Sequence, residues 1–184
     1  MKALVILGSR NEQGQTARAA QALIQGLTEE GAETNLLFLP TLRLERCRQC
    51  DANGWGICRS EGRCVIDDDF ASIVAKLRAA DVVVFANPVY FGDLSESLRA
   101  FLDRLRRTCM HASGKEGVAG KMAVGICVAG GGGGGAPHCV ESLERVLAHC
   151  AFNTVDLIAV RRQNLEAKTD ALRLAGRQLA LGAY

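Results

Sequence analysis

The sequence predicts an α/β fold: a three-layer α/β/α sandwich on a five-stranded parallel sheet with strand order 2-1-3-4-5. Three observations predict it. Short continuous apolar runs alternate with amphipathic stretches five times along the chain, the pattern of parallel strands buried on both faces by crossover helices. The three loops of least ordinary composition all leave the carboxyl ends of predicted strands, where open parallel sheets bind their ligands. No linker, repeat or composition break divides the 184 residues, so one domain is expected over 1–184.

The elements follow in order. Residues 3–7 are a continuous apolar run ended by Gly8 and read as the first strand. A helix is expected over 16–27, with Ala19, Ala20, Leu23, Ile24 and Leu27 at three- and four-residue spacing and Gly31 as its stop. The run 34–39, closed by Pro40, is the second strand. A helix over 67–79 carries Phe70, Ile73, Val74 and Leu77 on one stripe, and its opening aspartates, Asp67, Asp68 and Asp69, suit a helix N-terminus. Residues 82–86, ended by Asn87 and Pro88, form the third strand, and 94–108 a helix with Arg99, Arg106 and Arg107 on its outer face. A strand over 121–129, a helix over 140–150, a strand over 154–160 and a helix over 164–181 complete the alternation.

Composition excludes several classes. With 22 Lys+Arg against 20 Asp+Glu, the chain lacks the basic excess of a nucleic-acid binder. No apolar run reaches the roughly 18 residues of a membrane helix, and the apolar N-terminus is too short for a secretory signal. The expectation is a cytoplasmic protein with neither nucleic acid nor membrane as partner.

The first unusual loop, Gly8-Ser9-Arg10-Asn11-Glu12-Gln13-Gly14-Gln15-Thr16, joins the first strand to the first helix. Its hydroxyls, amides and glycines at a helix start offer backbone N–H groups to a phosphate; the plainer reading is a polar turn with Thr16 as helix cap. The spacing is neither a Walker A motif nor a dinucleotide fingerprint. The second loop, Asn87-Pro88-Val89-Tyr90-Phe91-Gly92, sets two aromatics beside a stiff turn, fit to hold a flat heterocycle or simply to cover the sheet end. The third is six glycines, 130–135, followed by Ala136-Pro137; it bends round a ligand, or is a flexible linker. Together the loops imply one ligand with a phosphate at one end and a flat ring at the other, a description that FMN meets.

Four of the eight cysteines, Cys47, Cys50, Cys58 and Cys64, crowd into a long loop at about 40–66. In a reducing compartment such crowding reads as metal binding or redox chemistry. A [4Fe–4S] cluster, zinc, and redox-active or free thiols all remain open; Arg46, Arg48, Arg59 and Arg63 nearby favour thiolates. Cys127 reads as a core residue, while Cys109, Cys139 and Cys150 look isolated at helix ends. His111, His138 and His149 form no constellation, and no paired-carboxylate or Ser–His–Asp arrangement is present.

The order of motifs resembles the NAD(P)H-dependent FMN reductase family of flavodoxin-like proteins: Gly8-Ser9…Gly14-Gln15-Thr16, then Asn87-Pro88-Val89-Tyr90-Phe91-Gly92, then Phe101-Leu102-Asp103-Arg104, then Val128-Ala129-Gly130. The resemblance implies that Ser9, Asn11, Gly14, Gln15 and Thr16 hold the FMN phosphate. It implies that Pro88, Val89, Tyr90, Phe91 and Gly92 hold the isoalloxazine from one side, and Ala129, Gly130 and Gly131 from another. Three positions depart from the family pattern: Asn11 stands where an Arg is usual, Gln15 for Asn, and Asn87 for Ser or Thr. The cysteine loop is similar to that of the iron-sulfur flavoprotein branch, with Asn53 at the usual third cysteine position and Cys58 further on.

The expected activity is an FMN-dependent oxidoreductase, its flavin reduced by NAD(P)H and oxidised by a small-molecule electron acceptor such as a quinone, an azo compound, chromate or free flavin. The resemblance further implies a homodimer or homotetramer. An electron carrier with a [4Fe–4S] cluster on Cys47, Cys50, Cys58 and Cys64 is the second reading, and a flavin-free binding or regulatory domain the third.

Overall fold

The five apolar runs pair as one parallel sheet of order β2-β1-β3-β4-β5 in a computed structural model that describes residues 1–184. The strands are β1 (Lys2–Leu7), β2 (Glu33–Phe38), β3 (Val82–Pro88), β4 (Met122–Ala129) and β5 (Asn153–Arg161). The helices are α1 (Gln15–Glu29), α2 (Ile57–Ser60), α3 (Phe70–Ala79), α4 (Glu96–Thr108), α5 (Ala112–Lys115), α6 (Ala136–His149) and α7 (Leu165–Ala180). The predicted topology is the observed one; α2 and α5 are single turns that the sequence pattern does not show.

Side-chain alternation along each strand divides the core between the faces. Leu4, Ile6, Val83 and Phe85 face α3, α4 and α6, where Ile73, Leu77, Leu98, Phe101 and Leu143 meet them. Ala3, Val5, Val82 and Val84 face α1 and α7, packing with Leu23, Leu27, Leu172 and Leu179. On this second face the two helices touch backbone to backbone: a Cβ on Gly26 would stand 1.9 Å from the Arg173 carbonyl oxygen, and one on Gly176 2.1 Å from that of Leu23.

Two expectations need correction. β3 runs two residues further than its apolar pattern, because Asn87 and Pro88 pair with Cys127 and Val128 of β4 after β1 has ended opposite Ala86. Beyond β1, the missing proline N–H leaves no ladder bond unmade on that side. The aspartates before α3 do more than complement a helix dipole. Asp68 Oδ2 and Asp69 Oδ2 accept from the backbone N–H groups of Glu45 (2.8 Å) and Arg43 (2.7 Å), clamping the entry to the cysteine loop. The α4 arginines, none of them buried, also pair within the chain: Arg99 with Asp93, Arg106 with Asp103, and Arg107 with the Gly54 carbonyl. No helix is long and apolar enough to cross a membrane.

Candidate functional site

The carboxyl ends of β1, β3 and β4 are fastened to one another. Gly8 N–H donates to the Ala86 carbonyl (2.9 Å), and the Ser97 hydroxyl donates to the Gly8 carbonyl (3.2 Å). A Cβ on Gly8 would lie 2.6 Å from Ser95 Oγ, so a side chain here would displace the serine at the start of α4. Asn87, fully buried, is the hub. Its Oδ1 accepts from Ser95 N–H (3.0 Å), while its Nδ2 donates to the Pro88 carbonyl (2.7 Å) and to Cys139 Sγ (3.2 Å). It thereby holds the aromatic turn to both α4 and α6. On the far side Gly135 abuts Gly92, leaving 2.7 Å between a would-be Cβ and the Gly92 Cα.

Between these loops lies an open cleft of about 750 Å³, within the range of cofactor sites. Ser9, Asn11, Gly14, Gln15 and Thr16 of the first loop line it, as do Pro88, Val89 and Tyr90 of the second and Gly130 and Gly131 of the third. Of the remaining sequence-derived residues, Ala129 is buried at the end of β4, Gly92 packs on Gly135, and Phe91 is fully exposed outside the cleft. Gln13, Arg18, Val128 and Gly134 line it as well. Arg18 is the one basic side chain among the lining residues. It stands one helical turn beyond Gly14, a spacing that marks the same helix face, and it is ion-paired with exposed Glu166 at 3.0 Å.

The first loop is organised to present backbone donors. Asn11 N–H donates to Ser9 Oγ (3.3 Å), Gln13 N–H to Asn11 Oδ1 (3.0 Å) and Gly14 N–H to the Asn11 carbonyl (3.1 Å). Gly14 caps α1 and no side chain caps the helix. The first N–H groups of a helix have no partner within it, so those of Gln15 and Thr16 remain for an anion at the positive end of the helix. Thr16 is therefore inside the helix rather than its cap.

The glycine run separates into two sets. Gly131, Gly133 and Gly135 have positive φ (45°, 79° and 82°), which accounts for glycine at those positions. Gly130, Gly132 and Gly134 have ordinary φ, and a Cβ at any of them would meet nothing within 4 Å. Neither conformation nor internal packing demands glycine there.

A second site lies between the cysteine loop and α4. Cys47, Cys50, Cys58 and Cys64 line one small cavity of about 20 Å³, walled by Trp55, Arg104 and Arg107. Asn53 is exposed and does not line it, whereas Cys58 does. The indole of Trp55 is flanked by Arg59 (5.3 Å) and Arg107 (4.7 Å). Arg104 is 1% exposed and makes a double hydrogen bond to Asp68 (2.6 and 2.8 Å). It also donates to the Glu45 carbonyl (3.0 Å) and covers the Phe70 ring. Its Nε alone has no partner. Burial favours the neutral guanidine, but Asp68 and Cys64 outweigh it and hold the Arg104 pKa above its usual value. Burial likewise opposes ionisation of Asp68; the Arg104 hydrogen bonds and the N–H groups of Glu45 and Phe70 overcome it and hold that carboxyl below the usual range. Four thiols round one cavity with an unpartnered buried N–H donor beside them is a donor set suited to a thiophilic, anionic centre. No three of the side chains stand together in a formed metal site.

The other four cysteines are all buried and are not isolated. Cys127 contacts Cys139, and Cys109 contacts Cys150. Hydrogen bonding to the partner thiol, with burial, pushes Cys127 and Cys150 up, while Cys139 and Cys109, which accept those bonds, are lowered.

Comparison with known proteins gives concordant results. A family model described as NADPH-dependent FMN reductase matches residues 1–164. An iron-sulfur flavoprotein of Methanocaldococcus jannaschii is 34% identical over 131 residues, 71% of this chain and 65% of that protein. One from Methanosarcina thermophila is 33% identical over 147 residues, 78% of this chain and 71% of its own length. The chain thus spans about two thirds of these relatives. Among solved structures, the NAD(P)H:quinone oxidoreductase of Methanothermobacter marburgensis superposes with a TM-score of 0.70 at 17% identity, covering 97% of this chain and 96% of that one. RosB with bound 8-demethyl-8-formylriboflavin-5′-phosphate gives 0.73 at 16% identity, covering 99% and 79%. At such identities these two likenesses speak to the fold alone.

Proposed function

The chain belongs to the NADPH-dependent FMN reductase family, and from that premise we propose an FMN-dependent oxidoreductase whose flavin is reduced by NAD(P)H and oxidised by a small acceptor. The observation that carries the reading is the pair of glycines at 130 and 134, which nothing inside the protein requires, on the wall of a cleft that an uncapped helix N-terminus also lines.

The cleft fits FMN on those two grounds. The phosphate would meet the free N–H groups of Gln15 and Thr16, Ser9 and Asn11, with Arg18 as counter-charge. The ring would lie between the 88–90 turn and Gly130–Gly131, where backbone can approach closely. When bound, FMN supplies the two-electron chemistry. The chain's own part is to hold, orient and shield, which agrees with the absence of an acid–base constellation. A homodimer or homotetramer belongs to the same proposal and rests on the resemblance. The test is anaerobic addition of NADPH to flavin-loaded protein. Bleaching of the flavin bands is expected; a protein that takes up no FMN overturns the reading.

The convergence of all four loop cysteines on one cavity, in a chain similar to iron-sulfur flavoproteins, supports a second reading. Cys47, Cys50, Cys58 and Cys64 would hold a cluster that exchanges single electrons with the flavin. Protein purified without oxygen then carries iron and sulfide, and Cys58→Ser lowers its iron at least several-fold. Iron unchanged in that variant removes Cys58 from the ligand set.

A further inference from the structure

The turn that brings Tyr90 to the cleft is strained at the next residue. Tyr90 N–H donates to the Asp93 carbonyl (3.0 Å) and Asp93 N–H to the Tyr90 carbonyl (2.9 Å), closing a two-residue turn around Phe91 and Gly92. Both central residues have positive φ, 51° and 79°. Turns of this kind favour Asn-Gly, because a Cβ at positive φ crowds the neighbouring backbone. Gly92 meets that demand. A bulky aromatic at position 91 is an outlier.

Packing does not offset the strain, since Phe91 is 110% exposed. The turn itself is fixed from behind: Leu94 N–H donates to the Asp93 carboxylate (2.7 Å), Arg99 pairs with the same carboxylate, and Gly92 abuts Gly135. A rigid support thus presents a ring that contributes nothing to the fold. Strained residues persist where function holds them. Tyr90, half-exposed, lines the cleft, and Phe91 is the next residue of the same turn, at the edge of the cleft rather than in its wall.

We propose that Phe91 is a specificity-determining residue: its ring is the platform on which a planar aromatic electron acceptor, of the quinone or free-flavin class, stacks at the mouth of the cleft. The inference rests on the reading of the cleft as the FMN site. An aromatic face attracts a flat π-system in offset or edge contact, whereas a compact inorganic oxidant gains nothing from it. The acceptor profile therefore carries the signature.

The experiment compares wild type, Phe91→Asn and Phe91→Tyr, all loaded with FMN, using a naphthoquinone and ferricyanide as acceptors. In Phe91→Asn the ratio of kcat/KM for the quinone to that for ferricyanide falls about three- to tenfold, mostly through the quinone KM. Phe91→Tyr keeps the ratio. The Tm of Phe91→Asn rises by about 2–4 °C, because asparagine suits the turn. A ratio unchanged in Phe91→Asn overturns the inference. So does a fall in Tm, which would make the ring a folding element, or a changed sedimentation mass, which would assign it to contact with a second copy of the chain. FMN uptake by wild type is measured first; its failure would strike the cleft reading itself, separately from the role of Phe91.

Discussion

Replacing Arg104 by Met costs about 3–5 kcal/mol of folding stability, because it leaves the Asp68 carboxylate buried without its partner. Both side chains are almost wholly shielded from solvent, 1% and 0% exposed, so water cannot take over from the guanidinium. Replacing both residues, as in Arg104→Met with Asp68→Leu, costs less than the single change, since no orphan charge remains. The pair also has a pH signature. The folded-state pKa of Asp68 lies below its ordinary value, so its contribution is complete above the unfolded carboxylate pKa of about 3.9. It is lost as the pH falls through the lower folded value. The wild type loses stability in that acid window and Arg104→Met, already without the pair, loses less. Urea unfolding at pH 7 and at pH 3 measures both. A single-variant cost below about 1 kcal/mol would show that the loop relaxes and admits water. The change reaches the cysteines too, since Arg104 and Asp68 both grip Glu45, two residues before Cys47.

Gly130→Leu weakens FMN binding by about 10–100-fold and leaves the Tm within about 2 °C of wild type. The two halves of that expectation come from one observation. A Cβ at position 130 meets nothing within 4 Å and the residue has no left-handed φ, so the folded chain accommodates a side chain. The same space is what the ring of a bound cofactor needs. Fluorescence titration of FMN into the apoprotein, beside thermal unfolding, separates the two. Equal FMN affinity in variant and wild type would place the ring elsewhere in the cleft. A large fall in Tm would mean that glycine serves the loop's own conformation.

The sheet was legible because burial on both faces leaves an unmistakable mark: 82–86 is unbroken Val, Phe and Ala, and no helix of this protein reads that way. What escaped was set by partners distant in sequence. Asn87 and Pro88 look like a strand terminator, and only the longer reach of β4 keeps them in the sheet. Asp68 and Arg104 lie 36 positions apart, and the acid reads locally as a helix opener. In the cleft, the loop residues announced themselves by composition, while Arg18 sits inside a helix whose apolar stripe drew attention to its other face. Phe91 was legible as an aromatic of the second loop, but its full exposure depends on a backbone angle that no residue pattern states.

The pairing of Cys109 with Cys150 and of Cys127 with Cys139, all four shielded by the core, gives the protein a built-in calibration for chemical labelling. A maleimide offered to the native chain meets at most four of eight sulfhydryls, and all eight once guanidinium has opened the fold. Whatever occupies the cysteine cavity subtracts from the first figure and leaves the second intact, so occupancy can be read from two mass spectra of one sample.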